Sequence, residues 1–325
     1  MGRDDWYGEP RNLTVEATLS FFDAVIIGTG PAGLTAAIYT TRGGFKTAIF
    51  AGTQHGGQLT TTTEVENFPG FRDPIMGQQL MNDMTAQAER LGAEVIYDEI
   101  TRVDFSEKTL KLWAGDSEIH ARAVIITTGA TARTLGLPRE GELMGRGLST
   151  CATCDGFFYK GKRAAVVGGG DSAMEEANYL SKLCSEVLLI HRRPQFRASN
   201  IMVERTKNNP KIKLMIPYAV EDTISGANGL TAIVVRNLDT NTREEIPMDG
   251  LWMAVGHTPN SRVFKDFVET DENGYIVVHE GTKTRTPGVF AAGDIADHEF
   301  RQAITAAGMG CQAGMQAIRY LEAQG

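Results

Sequence analysis

A glycine-rich turn of one pattern occurs twice in this chain, each time between a short apolar run and a helical stretch. The first copy is Gly28-Thr29-Gly30-Pro31-Ala32-Gly33, reached from the apolar residues 22–27 and followed by a helix from Pro31 to about Arg42. The second is Gly168-Gly169-Gly170-Asp171-Ser172-Ala173, reached from 163–167 and followed by a helix over 172–182. In such a turn the first glycine allows the tight bend and the second lets the backbone approach a pyrophosphate. The third small residue packs helix on strand, so the helix N-terminus faces the phosphates. Few architectures accommodate this unit, and its repetition about 140 residues later points to two nucleotide-binding halves.

Each copy continues as a β-α-β unit, with strands expected at 46–50 and 186–190. Each is followed, at a similar distance, by a strand ending in a glycine turn: AVIITTGATA over 123–132 and LWMAVGHTPN over 251–260. These two segments are the expected inter-domain crossings, and TPGVFAAGDIAD over 286–297 returns to the first sheet. The expected fold class is α/β, with two Rossmann-like nucleotide-binding domains, the second inserted in the first. The first domain comprises residues 1–132 and 262–325, with 1–20 a polar extension; the second comprises 133–261.

The two nucleotides differ. Where the first unit could carry a ribose-binding acid, Phe50-Ala51-Gly52 stands instead. In the second unit that place is taken by His191-Arg192-Arg193, with Arg197 one turn further. A 2′-phosphate carries roughly two negative charges and calls for cations where a free hydroxyl calls for a carboxylate, so NADPH is expected over NADH.

Between the two fingerprints and the crossings lies Cys151-Ala152-Thr153-Cys154-Asp155. Cysteines at this spacing close a reducible disulfide whose thiolate attacks other disulfides, and an acid directly follows. The pair could be half of a zinc site, but neither a second pair nor a suitable histidine spacing accompanies it, and no metal is expected. Four cysteines among 325 residues are too few for a secreted disulfide scaffold and suit a reducing, cytoplasmic setting. A net charge of -8 argues against nucleic acid or an anionic membrane as partner, and no apolar run reaches spanning length.

These motifs together resemble the low-molecular-weight, bacterial- and plant-type thioredoxin reductases. The resemblance runs from about residue 23 to 322 and includes GGQLTTTTEVENFPGF, RGLSTCATCDGFFY, IHRRPQFRAS, AVGHTPN and RQAITAAGMGC. It implies FAD on the first domain, through Gly28, Gly30, Pro31, Ala32, Gly33, Gly57, Gln58, Asn67, Gly129, Gly293, Asp294, Arg301, Gln302 and Ala303. It implies NADPH on the second, through Gly168, Gly170, Asp171, Ser172, Ala173, His191, Arg192, Arg193 and Arg197. It further implies a homodimer, thioredoxin as the disulfide substrate, Cys154 turned to the flavin, Cys151 turned to the partner, and domain rotation between half-reactions. Asp155 is then placed to move a proton as a general acid–base, for which burial must raise its pKa. Its alternative role is to cap a helix. A relative serving another small dithiol carrier and a non-enzymatic flavin-binding redox sensor are the competing readings.

Overall fold

The computed structural model describes residues 19–61 and 64–325. Most of the expected N-terminal extension, 1–18, and Thr62 and Thr63 of the GGQLTTTTEVENFPGF segment lie outside the described residues.

Ser20–Ile27 forms the central strand of the first sheet, and its last four residues are fully covered. A strand buried on both faces reads as a continuous apolar run, which is why this one was legible. It lies parallel between Thr47–Phe50 and Ser117–Ile126, with Glu94–Ile96 parallel beyond Thr47–Phe50. Ser117–Ile126 is shared: its start pairs antiparallel with Leu110–Ala114, and its end pairs parallel with Val289–Ala291. The strand 289–291, more than 160 residues later in sequence, thus completes the same sheet.

The first fingerprint helix, Pro31–Arg42, packs against the C-terminal helix Ala303–Glu322 over one face of this sheet. The approach is close because Gly310 and Gly314 lack side chains. A Cβ on Gly310 would stand 2.1 Å from the Ala32 carbonyl oxygen, and one on Gly314 would stand 2.9 Å from Tyr39 Cβ. This contact sets the N-termini of both helices near one another.

The second sheet is wholly parallel, in the order 148–149, 250–253, 163–167, 186–190 and 212–215. The helices Asp171–Leu183 and Asn200–Lys207 cover one face. A three-stranded antiparallel meander, Tyr218–Gly226, Gly229–Asn237 and Arg243–Pro247, covers the other through Leu230, Ile233, Val235 and Ile246. The meander has no counterpart among the sequence fingerprints, because its strands carry no nucleotide signature.

The two segments expected as crossings pair with each other. Ala130–Ala132 and His257–Pro259 form an antiparallel two-stranded ribbon. Asn260 fastens it: its Nδ2 donates to the Thr128 carbonyl at 2.8 Å, and its Oδ1 accepts from Thr131 Oγ1 at 3.0 Å. The ribbon is narrow and holds the two sheets together at one place.

Candidate functional site

In the first fingerprint, Gly28 has φ +112 and touches the Thr127 carbonyl; a Cβ there would lie 2.4 Å from that oxygen. A Cβ on Gly33 would stand 1.8 Å from the Gly28 carbonyl oxygen. Packing therefore demands both glycines. Gly30 is different: its backbone is extended, with φ -68, and a Cβ there would meet nothing within 4 Å. Nothing among the described residues requires glycine at that position. A phosphate group brought against the helix N-terminus would.

The second fingerprint repeats this logic. A Cβ on Gly168 would stand 2.4 Å from the Ala254 carbonyl oxygen, while one on Gly170, at φ -100, would meet nothing within 4 Å. Ala173 is fully buried on the helix. The loop after 186–190 folds back onto this turn, with Arg197 and Ala198 amides donating to the Gly169 carbonyl at 2.7 and 3.1 Å. Asp171 anchors the same loop, accepting from the Ser199 amide and hydroxyl at 2.9 and 2.8 Å. His191 is buried against Gly169 and stacks on Phe196. Burial first, and then the neighbouring arginines, lower its pKa, which favours the uncharged imidazole. Arg192, Arg193 and Arg197 are exposed around the same turn, and among the described residues none of them enters an ion pair. Both turns thus fit a dinucleotide pyrophosphate, and the second adds free cations.

Cys151 and Cys154 form a disulfide, with Cα atoms 5.3 Å apart. Ala152–Asp155 makes one helical turn between them and the acid. Asp155 is half-buried, and burial pushes its carboxyl pKa up, partly offset by a 2.5 Å hydrogen bond from Ser149 Oγ. It caps no helix by its side chain, so the alternative role falls away.

The dithiol turn lies against the segment before the C-terminal helix. Gln302 Nε2 donates to Thr153 Oγ1 at 3.2 Å, and Thr153 Oγ1 is 3.4 Å from Cys151 Sγ. Asn67 Nδ2 donates to Gln302 Oε1 at 3.2 Å, and Gln58 donates to the Ala130 carbonyl. Gly57 packs on the first fingerprint, 3.5 Å from Gly30 Cα when a Cβ is placed on it. Gly129 lies at the start of the ribbon, its carbonyl accepting from the Asn260 amide. Gly293 turns with φ +80 beside Ala32, and burial raises neighbouring Asp294 to a pKa of about 6. Arg301 has φ +48, in the left-handed region that non-glycine residues rarely occupy. Its guanidinium faces His257 Nδ1 at 3.0 Å and Ser172 Oγ at 3.5 Å. Ala303 opens the C-terminal helix beside these groups. The arrangement brings a reducible disulfide to the rim of the first fingerprint's domain, beside an acid held partly out of water.

A pyridine nucleotide-disulphide oxidoreductase description matches residues 22–310. The chain belongs to that family. It is an oxidoreductase of the class that couples a pyridine nucleotide, through a flavin, to a disulfide, and it falls with the low-molecular-weight thioredoxin reductases. The thioredoxin reductase of Streptomyces clavuligerus is 49% identical over 304 residues, spanning 93% of this chain and 94% of the relative. The solved thioredoxin reductase from Giardia duodenalis is 41% identical, covers 93% of this chain and 99% of its own, and superposes with a TM-score of 0.89. The Lactococcus lactis thioredoxin reductase in its FR conformation, 37% identical with the same coverage of both chains, superposes at only 0.64.

Three further polar groups at this family site had no sequence signal. Ser149 sits two residues before the dithiol in a strand too short for periodicity to show. Glu176 lies on the second fingerprint helix, where burial raises its pKa to about 8 and its Oε2 has no hydrogen-bond partner among the described residues. His257, in the crossing segment 251–260, packs against Arg301; burial first, then Arg301, lowers its pKa to about 4. Among the described residues, no helix is long and apolar enough to cross a membrane.

Proposed function

We propose that the chain reduces the disulfide of thioredoxin with NADPH, using FAD on the first fingerprint and NADPH on the second. The observation that carries this reading is the placement of the Cys151–Cys154 disulfide against Gln302 and Thr153, at the rim of the first fingerprint's domain. FAD, when bound, supplies a two-electron acceptor for NADPH and a two-electron donor for the disulfide. The chain's own residues do the rest. The fingerprint glycines admit the pyrophosphates; Arg192, Arg193 and Arg197 receive the 2′-phosphate; Asn67, Arg301, Gln302 and Ala303 line the flavin end; Gly293 and Asp294 hold the ribityl region.

Cys151 acts outward on the partner, Cys154 inward, and Asp155 moves a proton between thiolate and solvent. Phe157, 57% exposed beside the turn, offers an aromatic anchor of the kind a protein substrate covers. The dithiol and the nicotinamide must reach the flavin in turn, so the domains 1–132 with 262–325 and 133–261 rotate about the ribbon. Two relatives of similar identity that superpose at 0.89 and 0.64 support this motion. A homodimer is supported by an exposed stripe on the C-terminal helix, Ile304 and Met315 with Tyr39 beside them. We assign the enzyme to the cytoplasm on its sparse cysteine usage.

The deciding experiment is an anaerobic spectrum of the purified protein, titrated with NADPH and then with oxidised thioredoxin. Bleaching of the flavin by NADPH and its recovery by thioredoxin are expected. A flavin reduced by NADPH but reoxidised only by a glutaredoxin-like carrier overturns the substrate assignment. A flavin that NADPH does not bleach overturns the enzymatic reading.

A further inference from the structure

Ser149 stands between the two working parts of the dithiol turn. It ends the two-residue strand Leu148–Ser149, which pairs with Gly250–Met253 so that Ser149 lies opposite Trp252. The side chain is 5% exposed and is therefore fixed by the sheet, not by the turn it touches. Its Oγ donates to Asp155 Oδ2 at 2.5 Å and accepts from the Cys151 amide at 3.1 Å. The Cys151 carbonyl lies 3.4 Å from the same oxygen. One hydroxyl thus links the first cysteine's backbone to the acid after the second.

We propose that Ser149 is a positioning residue for the disulfide chemistry, holding the Asp155 carboxyl in place through both halves of its proton cycle. The proposal rests on reading Asp155 as the acid. Reduction of the Cys151–Cys154 bond by an electron pair from the pyridine nucleotide leaves two thiolates. A proton from Asp155 turns one into a thiol and leaves a carboxylate, which recovers its proton from water.

A hydroxyl carries one donor and two acceptor lone pairs. Beside the carboxylate, Ser149 donates to Asp155 and accepts from the Cys151 amide. Beside the protonated acid, it accepts from both and turns its own hydrogen to the Cys151 carbonyl. No buried group is stranded in either state, where a stranded group would hold the cycle back. A donor-only or acceptor-only side chain could serve only one of the two states.

The other groups around Asp155 leave it this role. Asp155 also lines a cleft of about 130 Å³ with Gly145, Leu148, Phe158, Tyr159 and Lys162, room for several waters. Tyr159 faces the carboxylate and Asp249, and its own pKa is raised chiefly by burial. Lys162 stands at the cleft and over the Tyr159 ring. The helix Asp171–Leu183 presents Tyr179, Leu180 and Leu183 to this corner, and Gln302 reaches only Thr153. Among the described residues, Ser149 is the one group hydrogen-bonded to the carboxyl, and its bond opposes the upward push of burial.

The test compares S149A, D155N and the double variant in the FAD-loaded enzyme, by pH-dependent turnover with thioredoxin and by single-turnover flavin reduction with NADPH. In S149A, turnover is expected to fall about tenfold, less than the roughly 10²–10⁴-fold that the positioned acid itself contributes. Its alkaline limb should move to higher pH, since the buried acid loses the bond that favours its carboxylate. Flavin reduction by NADPH should be unchanged, and S149A should add nothing in the D155N background. An unmoved pH limb, or a loss of equal size with and without Asp155, overturns the proposal and leaves Asp155 as the acid. Full turnover in D155N overturns the acid assignment itself, and the proposal with it.

Discussion

Gln302 donates a hydrogen bond to Thr153 across 149 residues of sequence, and Thr153 in turn contacts Cys151 Sγ. Gln302 precedes the C-terminal helix that packs on the first fingerprint, and Thr153 sits between the two cysteines. The bond joins the segment before the C-terminal helix to the turn that carries the disulfide. Replacing Cys151 by serine should therefore leave NADPH reduction of the flavin intact and reduce thioredoxin turnover to background. Stopped-flow absorbance and a coupled turnover assay separate these two outcomes.

The fingerprint glycines should divide by cause. Gly30→Ala and Gly170→Ala place a methyl where the protein has open space, at a cost of about 1 kcal/mol or less in helix capping. Both variants should fold and melt near the parent, yet G30A should lose FAD and G170A should raise the KM for NADPH. Gly33→Ala sets a methyl 1.8 Å from a carbonyl oxygen and should destabilise by about 1–3 kcal/mol or more. Thermal melting alongside flavin content after purification checks the contrast.

Arg192 and Arg193 should decide the choice of nucleotide. Each charged contact contributes about 1.5–3 kcal/mol, or roughly ten- to a hundredfold in affinity. Replacing both by alanine should raise the KM for NADPH at least about a hundredfold while leaving that for NADH nearly unchanged. Parallel losses for both nucleotides would contradict the 2′-phosphate assignment.

Glu176 should make stability fall as the solution is made alkaline. Burial holds its carboxyl protonated up to about pH 8, whereas an exposed glutamate ionises near 4.5. The folded protein binds the extra proton, so stability is complete below pH 4.5 and is lost as pH rises through about 8. His257, lowered to about 4, acts oppositely below pH 6.5, and Asp294, raised to about 6, has finished titrating by then. Between pH 6.5 and 8 the slope approaches about 1.4 kcal/mol per pH unit. In Glu176→Gln that slope should flatten, measured by denaturant unfolding at several pH values; an unchanged slope rules out Glu176 as its source.

Much of the fold was legible because its signals are local. The strands 163–167 and 186–190 and the helix Pro31–Arg42 fell where the apolar runs and glycine turns put them. A buried parallel strand, a tight turn and a helix start each leave their mark within a few residues. The meander over 218–247 left no such mark, because its alternation meets a partner sheet and no ligand.

The sequence alone determined the two glycine turns, the cationic strand end at Arg192 and Arg193, and the reducible pair with its neighbouring acid. These depend on backbone sterics, charge and spacing within a dozen residues. Only the tertiary structure decided that Gln302 meets the turn between the cysteines through Thr153, that Ser149 grips Asp155, and that Arg301 sits on His257 while Glu176 Oε2, among the described residues, is buried without a hydrogen-bond partner. Such relations join residues from different strands and helices or change the dielectric around one carboxyl. Neither effect has a local spacing to read, so each appears only once the chain has closed on itself.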